Sequence, residues 1–549
     1  MSRKKRGKIA DKRYESVMKR LDLKKEKPKK RKFIVIQVDS LPYSILKRFI
    51  ERGSCRFINS LVEKEGYTLQ SFNCGVPSGT PGIQSGIMYG DNSMVPGFRF
   101  VDKKAERQIS FGNPNHVKYF ERKYFGKKKG ILEGGSSYSN HFSGGASRSI
   151  LTMSTITKDK RFRRIRESSL WLFLFLHPAS LLRVFHYSFA ELLIEIGSII
   201  AHPFMLVFRK KNAIFGFWIP FRRLLMNVIL TEIITLGVIL DIKRNVPKIY
   251  VNYMGYDDLA HLRGPHSANA YFMVRALDRR IKRICRKAND DYDIFIMSDH
   301  GQADAVPFSK ANGMTLAEFI ERCARVESFG LTSVHEGRLS IIGVVMKKTL
   351  GFMKYVSTPL RWMGTAFARG MLKVIKPQAY RFVWDEKEAI FVLDSCALAH
   401  VYFNVSKERM DMSRINRKYP KLIEKLLKNR SIGIIMAKQR DKVLLLHRRG
   451  MVIIDRSSVR KQGREFLKDY GDEATLIKQI REFGRTRFLG DLVLFGNYKD
   501  GLAVSFTEHV GAHGGIGGDM MHPFFISRRK YDLSKVTNAR ELHKIFKEY

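Results

Sequence analysis

Acidic residues are scarce in this chain. Only 52 Asp and Glu stand against 99 Lys and Arg, giving a formal net charge of +47 over 549 residues. A surface so poor in negative charge implies an acidic partner, whether nucleic acid, anionic lipid or a phosphorylated substrate. Cysteine is scarce too. Cys55, Cys74, Cys285, Cys323 and Cys396 lie far apart and form no CxxC pair. That excludes a disulfide framework and a cysteine-rich zinc site, and points to a reducing compartment. The first thirty residues contain no apolar core, so no cleavable signal peptide is expected there. Long apolar runs are also missing. A spanning helix wants about 18 apolar residues in a row, but Arg183, His186, Glu191, Glu195 and Glu232 interrupt the most apolar region. The expectation is a cytoplasmic protein, peripheral on the inner face of a membrane.

Hydrophobic residues make up 44% of the chain, enough for one large α/β domain with insertions or for two or three domains. Residues 1–32 form a charged tail with 16 Lys/Arg and 4 Asp/Glu, and the tail's +12 leaves +35 for the rest. Such a segment has too little apolar surface to fold alone. It fits a disordered solubilising arm and an arm lying on lipid or RNA equally well. From 158 the composition changes. Apolar runs at 170–176, 181–208 and 224–240 are bordered by basic groups at 158–166, 209–211, 222–223 and 243–244. Amphipathic helices on an anionic membrane fit this pattern, and the basic borders favour them. A helical subdomain burying its own apolar faces fits as well. The apolar, basic-spaced segment 366–375 is a further candidate surface piece. Between 302 and 500, strands are expected at 339–345, 389–392, 399–403, 432–436 and 443–446.

The chemistry sits at the ends of predicted strands, where ligands gather in open α/β sheets. The β-branched run at 33–38 ends in Asp39-Ser40. The strand signal at 293–297 ends in Ser298-Asp299-His300-Gly301. A third strand, at 248–252, leads to Asp257 and His261, whose spacing puts both on one helical face. Thr80, in Pro77-Ser-Gly-Thr-Pro-Gly, is placed at a helix N-terminus, where N–H groups face any bound anion. A plain capping threonine is the commoner fate of such a residue. His513 lies in Gly511-Ala-His-Gly-Gly, a setting that lets the backbone crowd close. His509 and His522 flank it without that setting, and His266 is a candidate for a supporting role. Asp39, Asp299 and His300, with Thr80, suit one metal; Asp257, His261 and His513 suit a second. These N/O sets fit Zn²⁺, and Mn²⁺ would accept the same ligands. Two metals about 4 Å apart stabilise both the attacking and the leaving oxygen of an in-line displacement.

These stretches, in this order, resemble the alkaline phosphatase superfamily, and most closely its nucleotide pyrophosphatase/type I phosphodiesterase branch. The matching stretches are Val38-Asp39-Ser40, Pro77 to Thr80 running on to Gln84 and Gly90, Tyr256-Asp257 with His261 and Gly264-Pro265, Ser298 to Gly301, and Gly511 to Gly514. The resemblance implies an α/β/α sandwich around a mostly parallel central sheet. Its catalytic domain would be split into 33–157 and 246–549 by a helical insertion at 158–245. It implies Thr80 as nucleophile, with Asp39, Asp299 and His300 holding the metal beside it and Asp257, His261 and His513 holding the other. Pro81 has no N–H to donate, so oxyanion help falls to Gly82 or the Gln84 side chain. The expected function is metal-dependent hydrolysis of a phosphate ester, lipid-linked or nucleotide, at a membrane surface. Two alternatives remain: a headgroup transferase on the same site, and an inert basic protein binding nucleic acid or membrane. Nucleic acid is the less favoured partner.

Overall fold

The run FIVIQV at Phe33–Val38 (β1) is buried along its whole length. That is what a strand covered on both faces of a parallel sheet requires. The computed structural model of the chain describes residues 31–156, 178–207, 223–325, 328–330 and 390–549, together with 15, 18, 24–27, 29 and 220. The apolar segments expected at 170–176 and 366–375, the strand expected at 339–345 and the basic stretches 158–166 and 209–211 lie outside the described residues.

Six further strands join β1: Thr68–Ser71 (β2), Ser136–Tyr138 (β3), Arg148–Ile150 (β4), Lys248–Tyr253 (β5), Asp293–Met297 (β6) and Phe524–Ser527 (β7). Their order across the sheet is β2-β7-β6-β1-β5-β3-β4. β6, β1, β5, β3 and β4 pair in parallel, whereas β7 runs antiparallel to both its neighbours. This is the expected α/β architecture with a mostly parallel central sheet. Register matters most at the carboxyl edge. Val38 pairs with Tyr253 and Gln37 with Met297, so β1, β5 and β6 deliver the residues that follow them to one edge.

Helix Thr80–Tyr89 (α1) is buried throughout and ends on Gly90 at φ 70°. In the insertion, helix Pro178–Val207 (α2) precedes the apolar helix Leu224–Lys243 (α3). Among the described residues, α3 is the one helix long and apolar enough to cross a membrane, yet 94% of it is buried inside the protein. Leu236, Val238 and Leu240 join the same core as β1. Asp241 fastens α3 to the sheet by accepting hydrogen bonds from Ser136 (2.6 Å), Arg148 (2.7 Å), Arg244 (2.8 Å) and Tyr138. For this run the structure shows the packing that the self-burying reading expects. Helices Gly255–Arg263 (α4) and Ala268–Ala288 (α5) follow β5. Described parts of the tail also touch the body: the Glu26 N–H donates to the Arg244 carbonyl at 2.7 Å, and Met18 is buried.

The strands expected at 389–392, 399–403, 432–436 and 443–446 form, and they build a second, eight-stranded and largely antiparallel sheet. It has core clusters of its own, around Phe403, Ile435 and Leu494 on one side and Met436, Val493 and Phe495 on the other. Buried pairs tie it to the first half of the chain: Arg99 with Asp394 at 3.3 Å and Lys103 with Asp491 at 2.6 Å.

Candidate active site

Asp39, Asp299 and His300 arrive on short leads from the edge of the central sheet, Asp257 and His261 on the helix after β5, Thr80 at the start of α1, and His513 after a short strand of another sheet. Asp39 leaves β1 and is nearly sealed from solvent. Its Oδ2 accepts from the Asn252 amide at 2.8 Å and its Oδ1 from the Thr80 hydroxyl at 3.2 Å. Asp299 and His300 leave β6 fully buried. Asp299 Oδ1 accepts from the Ser40 N–H at 3.1 Å, which ties the two loops together. Asp257 and His261 occupy one face of α4, with Asp257 Oδ1 3.1 Å from His261 Nε2 and 3.6 Å from His513 Nε2. The His300 and His513 rings stack at 4.2 Å, which joins the two groups. All seven residues, separated by up to 474 positions in sequence, therefore meet in one place.

Thr80 is the first residue of α1, not its N-cap, a place taken by Gly79. The hydroxyl makes no capping bond. It sits between Asp39 Oδ1 and His300 Nε2, the latter at 3.1 Å. The capping reading is thereby replaced by one in which the side chain faces the ligand cluster.

The histidines share a device. Nδ1 of His300 donates to the Gly301 carbonyl (2.9 Å), Nδ1 of His261 to Gly511 (2.8 Å) and Nδ1 of His513 to Ser78 (3.1 Å). Each bond fixes the ring and turns Nε2 towards the cluster, as metal-ligating imidazoles require. Two glycines make the close approach feasible. A Cβ on Gly301 would lie 1.8 Å from the Asp519 carbonyl oxygen, and Gly514 sits at φ +85° with its N–H donating to Ser78 at 2.8 Å.

The electrostatics are those of a site built around cations. Burial, then Asp299 and Asp257, push the Asp39 carboxyl well above the usual range. Burial resists charge on His261, yet the Asp257 carboxylate, followed by Cys396, raises it to about 10. Burial and the neighbouring His300 hold His513 well below its ordinary value. Asp299 Oδ2 is sealed from solvent with no hydrogen-bond partner among the described residues. Crowded carboxylates, imidazole nitrogens turned towards them and a carboxylate oxygen with no hydrogen bond are a donor set that fits divalent metal ions. Ligand atoms of Asp39, Asp299 and His300 lie within 4.8 Å of one another, as do those of His261, Cys396 and His513.

Sequence reasoning set His509 aside and gave Cys396 no place at the site. Cys396 Sγ lies 3.3 Å from His509 Nδ1 and 3.8 Å from His261 Nδ1, and the His261 and His509 rings are 4.2 Å apart. Asn252 is a third; its place at the end of β5 was the signal that could have found it. Gln84 is a correction. Its carboxamide is consumed by Gln37 (3.2 Å), Asn140 (3.0 Å) and the His141 N–H (2.9 Å). It does not line the cavity, so it is not placed to bind phosphate.

That cavity, about 130 Å³, is walled by Asp39, Thr80, Asp257, His261 and His513 on the polar side. Phe98, Phe111, Met153, Met226, Met254 and Leu398 form much of the remainder. Met226 comes from the first turn of α3, so the insertion helps to shape the site.

A family model described as type I phosphodiesterase / nucleotide pyrophosphatase matches residues 33–464. No match was found among curated proteins. Solved structures similar to the chain include phosphonoacetate hydrolase from Sinorhizobium meliloti with phosphonoformate (11% identity, TM-score 0.44, covering 94% of this chain and 95% of that one). Murine ectonucleotide pyrophosphatase/phosphodiesterase 5 with AMP is similar at 8% identity and TM-score 0.46, covering 94% of each chain. The alkaline phosphatase PafA is similar at 12% identity and TM-score 0.47, covering 91% of each.

Proposed function

Because the chain belongs to the type I phosphodiesterase/nucleotide pyrophosphatase family of phosphoric ester hydrolases, we propose that it hydrolyses a phosphate ester through Thr80 and two divalent metal ions. The observation that carries this reading is the Thr80 hydroxyl, held between Asp39 and His300 and serving no structural bond of its own helix. Asp39, Asp299, His300 and Thr80 would hold one ion; Asp257, His261 and His513 would hold the other. Bound there, the ions would supply charge to the attacking and leaving oxygens, with Zn²⁺ the best fit to the N/O donors and Mn²⁺ acceptable. The residues do the rest. Asp39 and His300 orient the hydroxyl, which gives up its proton to water as its oxygen attacks phosphorus; the ester's leaving oxygen departs as the alcohol, and water then cleaves the phosphothreonine.

The apolar half of the cavity favours an ester whose leaving group is itself apolar, a lipid-linked phosphate rather than a nucleotide. The same reading puts the enzyme against an anionic membrane, on its cytoplasmic face. The excess of cations and the five free cysteines support that placement. The test is hydrolysis of a chromogenic phosphodiester and of phospholipids, with and without chelator, by wild type and Thr80→Ala. The expectation is activity that chelator abolishes and that falls at least about 10³-fold in the variant. Undiminished turnover by Thr80→Ala would remove the threonine from the mechanism.

A further inference from the structure

Helix α2 is turned inside out. Among its residues 178–200, eight large apolar side chains are exposed, from Leu182 at 70% and Phe185 at 75% to Phe189 and Ile200 at 63%. They recur at 182, 185, 189, 192, 193, 196, 199 and 200, the spacing of a single helical face. His186 is the one polar residue among the exposed positions of that stretch. The helix's charges point the other way. Arg183 pairs with Glu232 at 2.8 Å, Glu191 with Arg223 at 2.6 Å, and Glu195 with Arg263 at 2.6 Å. A surface helix of a soluble protein reverses this arrangement. An apolar strip about 27 Å long, held rigidly outward by buried ion pairs, is a docking surface.

Charge identifies the occupant. α5 runs antiparallel beside α2, with Arg280 over the Tyr187 ring at 4.5 Å and Asn269 hydrogen-bonded to Ser198. On α5 the neighbouring face exposes Phe272, Arg275 and Arg279. In sequence, α2 is flanked by the basic stretches 158–166 and 209–211, and no acid is exposed between 178 and 200. Apolar strip and cationic border together match the acyl boundary and headgroups of an anionic bilayer. We propose that α2 is the element by which the protein docks on an anionic lipid surface, with its 182–200 face in the acyl boundary and Arg275 and Arg279 among the headgroups. Docking through α2 stands apart from catalysis; that it brings a lipid-linked ester to Thr80 rests on the hydrolase reading. The link is short, because Arg223, clamped to α2, immediately precedes the turn that carries Met226 to the cavity.

The test uses the full chain and sedimentation with phosphatidylcholine vesicles, with and without phosphatidylglycerol. Wild type is expected to pellet with the anionic vesicles, less so as salt rises. The variant Phe185→Ser/Phe189→Ser/Leu193→Ser should lose about tenfold or more in binding. Its circular dichroism melt and its turnover of a soluble diester should be unchanged. Arg275→Glu/Arg279→Glu should weaken binding while keeping the same fold. Vesicle binding by a protein that cleaves no ester would retain the docking proposal and sink the hydrolase reading. Activity on soluble esters without vesicle binding would do the reverse. Triple-variant binding equal to wild type would overturn the proposal. So would a wild-type dimer in light scattering that the triple variant abolishes, which would give the face to a second copy.

Discussion

Thr80 has one proton and two acceptors within reach. With Nδ1 of His300 bound to Gly301, Nε2 faces the hydroxyl, which lies between that nitrogen and Asp39. The same logic sets the behaviour of the other group. A His261 raised to about 10 carries a proton at neutral pH until a cation replaces it. Loading Zn²⁺ into the metal-free protein should therefore release a proton near pH 7 and tighten as pH rises. Calorimetry in buffers of different ionisation enthalpy measures the release; uptake without protons would show that His261 is not a ligand. Cys396 provides the complementary check. If Asp257, His261 and His513 are the ligands, Cys396→Ser keeps its full metal content by elemental analysis. Loss of an ion would assign the thiol to the coordination sphere. The seven residues brought together here could be read in the sequence because each follows a strand or rides one helical turn in a short motif. Cys396 could not be read, since the second sheet's packing brings it to His261: the Ala397 N–H donates to the His513 carbonyl at 3.0 Å. Gln84 was misread for a related reason, because its neighbours claim an amide whose spacing from Thr80 is otherwise favourable.

Among the elements, the insertion helices show what composition leaves open. α2 and α3 are both apolar with scattered charges, and neither sequence states which face turns inward. The ion pairs decide. Glu232 of α3 accepts from Arg283 of α5 at 2.7 Å and from Arg183 of α2 at 2.8 Å, clamping three helices. Burial works against its charge, but Arg283 and then Arg183 hold it down at about 2. A carboxyl depressed on folding stabilises the protein above its unfolded value, about 4.3, and the contribution disappears as pH falls towards 2. Urea melts of wild type and Glu232→Gln should thus differ by about 2–3 kcal/mol near neutrality. The gap should narrow steadily below pH 4.5, whereas a gap independent of pH would contradict the clamp. Asp241→Ala leaves Arg148 and Arg244 buried without their carboxylate, and should cost about 3–5 kcal/mol in the same assay.

Over the whole molecule, the proposal joins two features of the chain, its +47 charge and its acid-lined cavity: the first would meet an anionic surface and the second would gather metals. Of the central sheet, β1, β5 and β6 were legible from their apolar, β-branched runs, whereas the short strands β2, β3, β4 and β7 carried no such signal. The antiparallel sheet was legible strand by strand but not as a separate sheet, because its pairings are set by long-range contacts that no local pattern encodes. The proposed function depends on six side chains from distant parts of the chain being able to hold two ions beside Thr80. The metal-to-protein ratio after exhaustive dialysis, measured by inductively coupled plasma mass spectrometry, tests this directly. The wild-type chain should retain two ions, and Asp257→Asn/His261→Ala should retain one. Fewer than one ion in the wild type, or an unchanged count in the variant, would contradict the account.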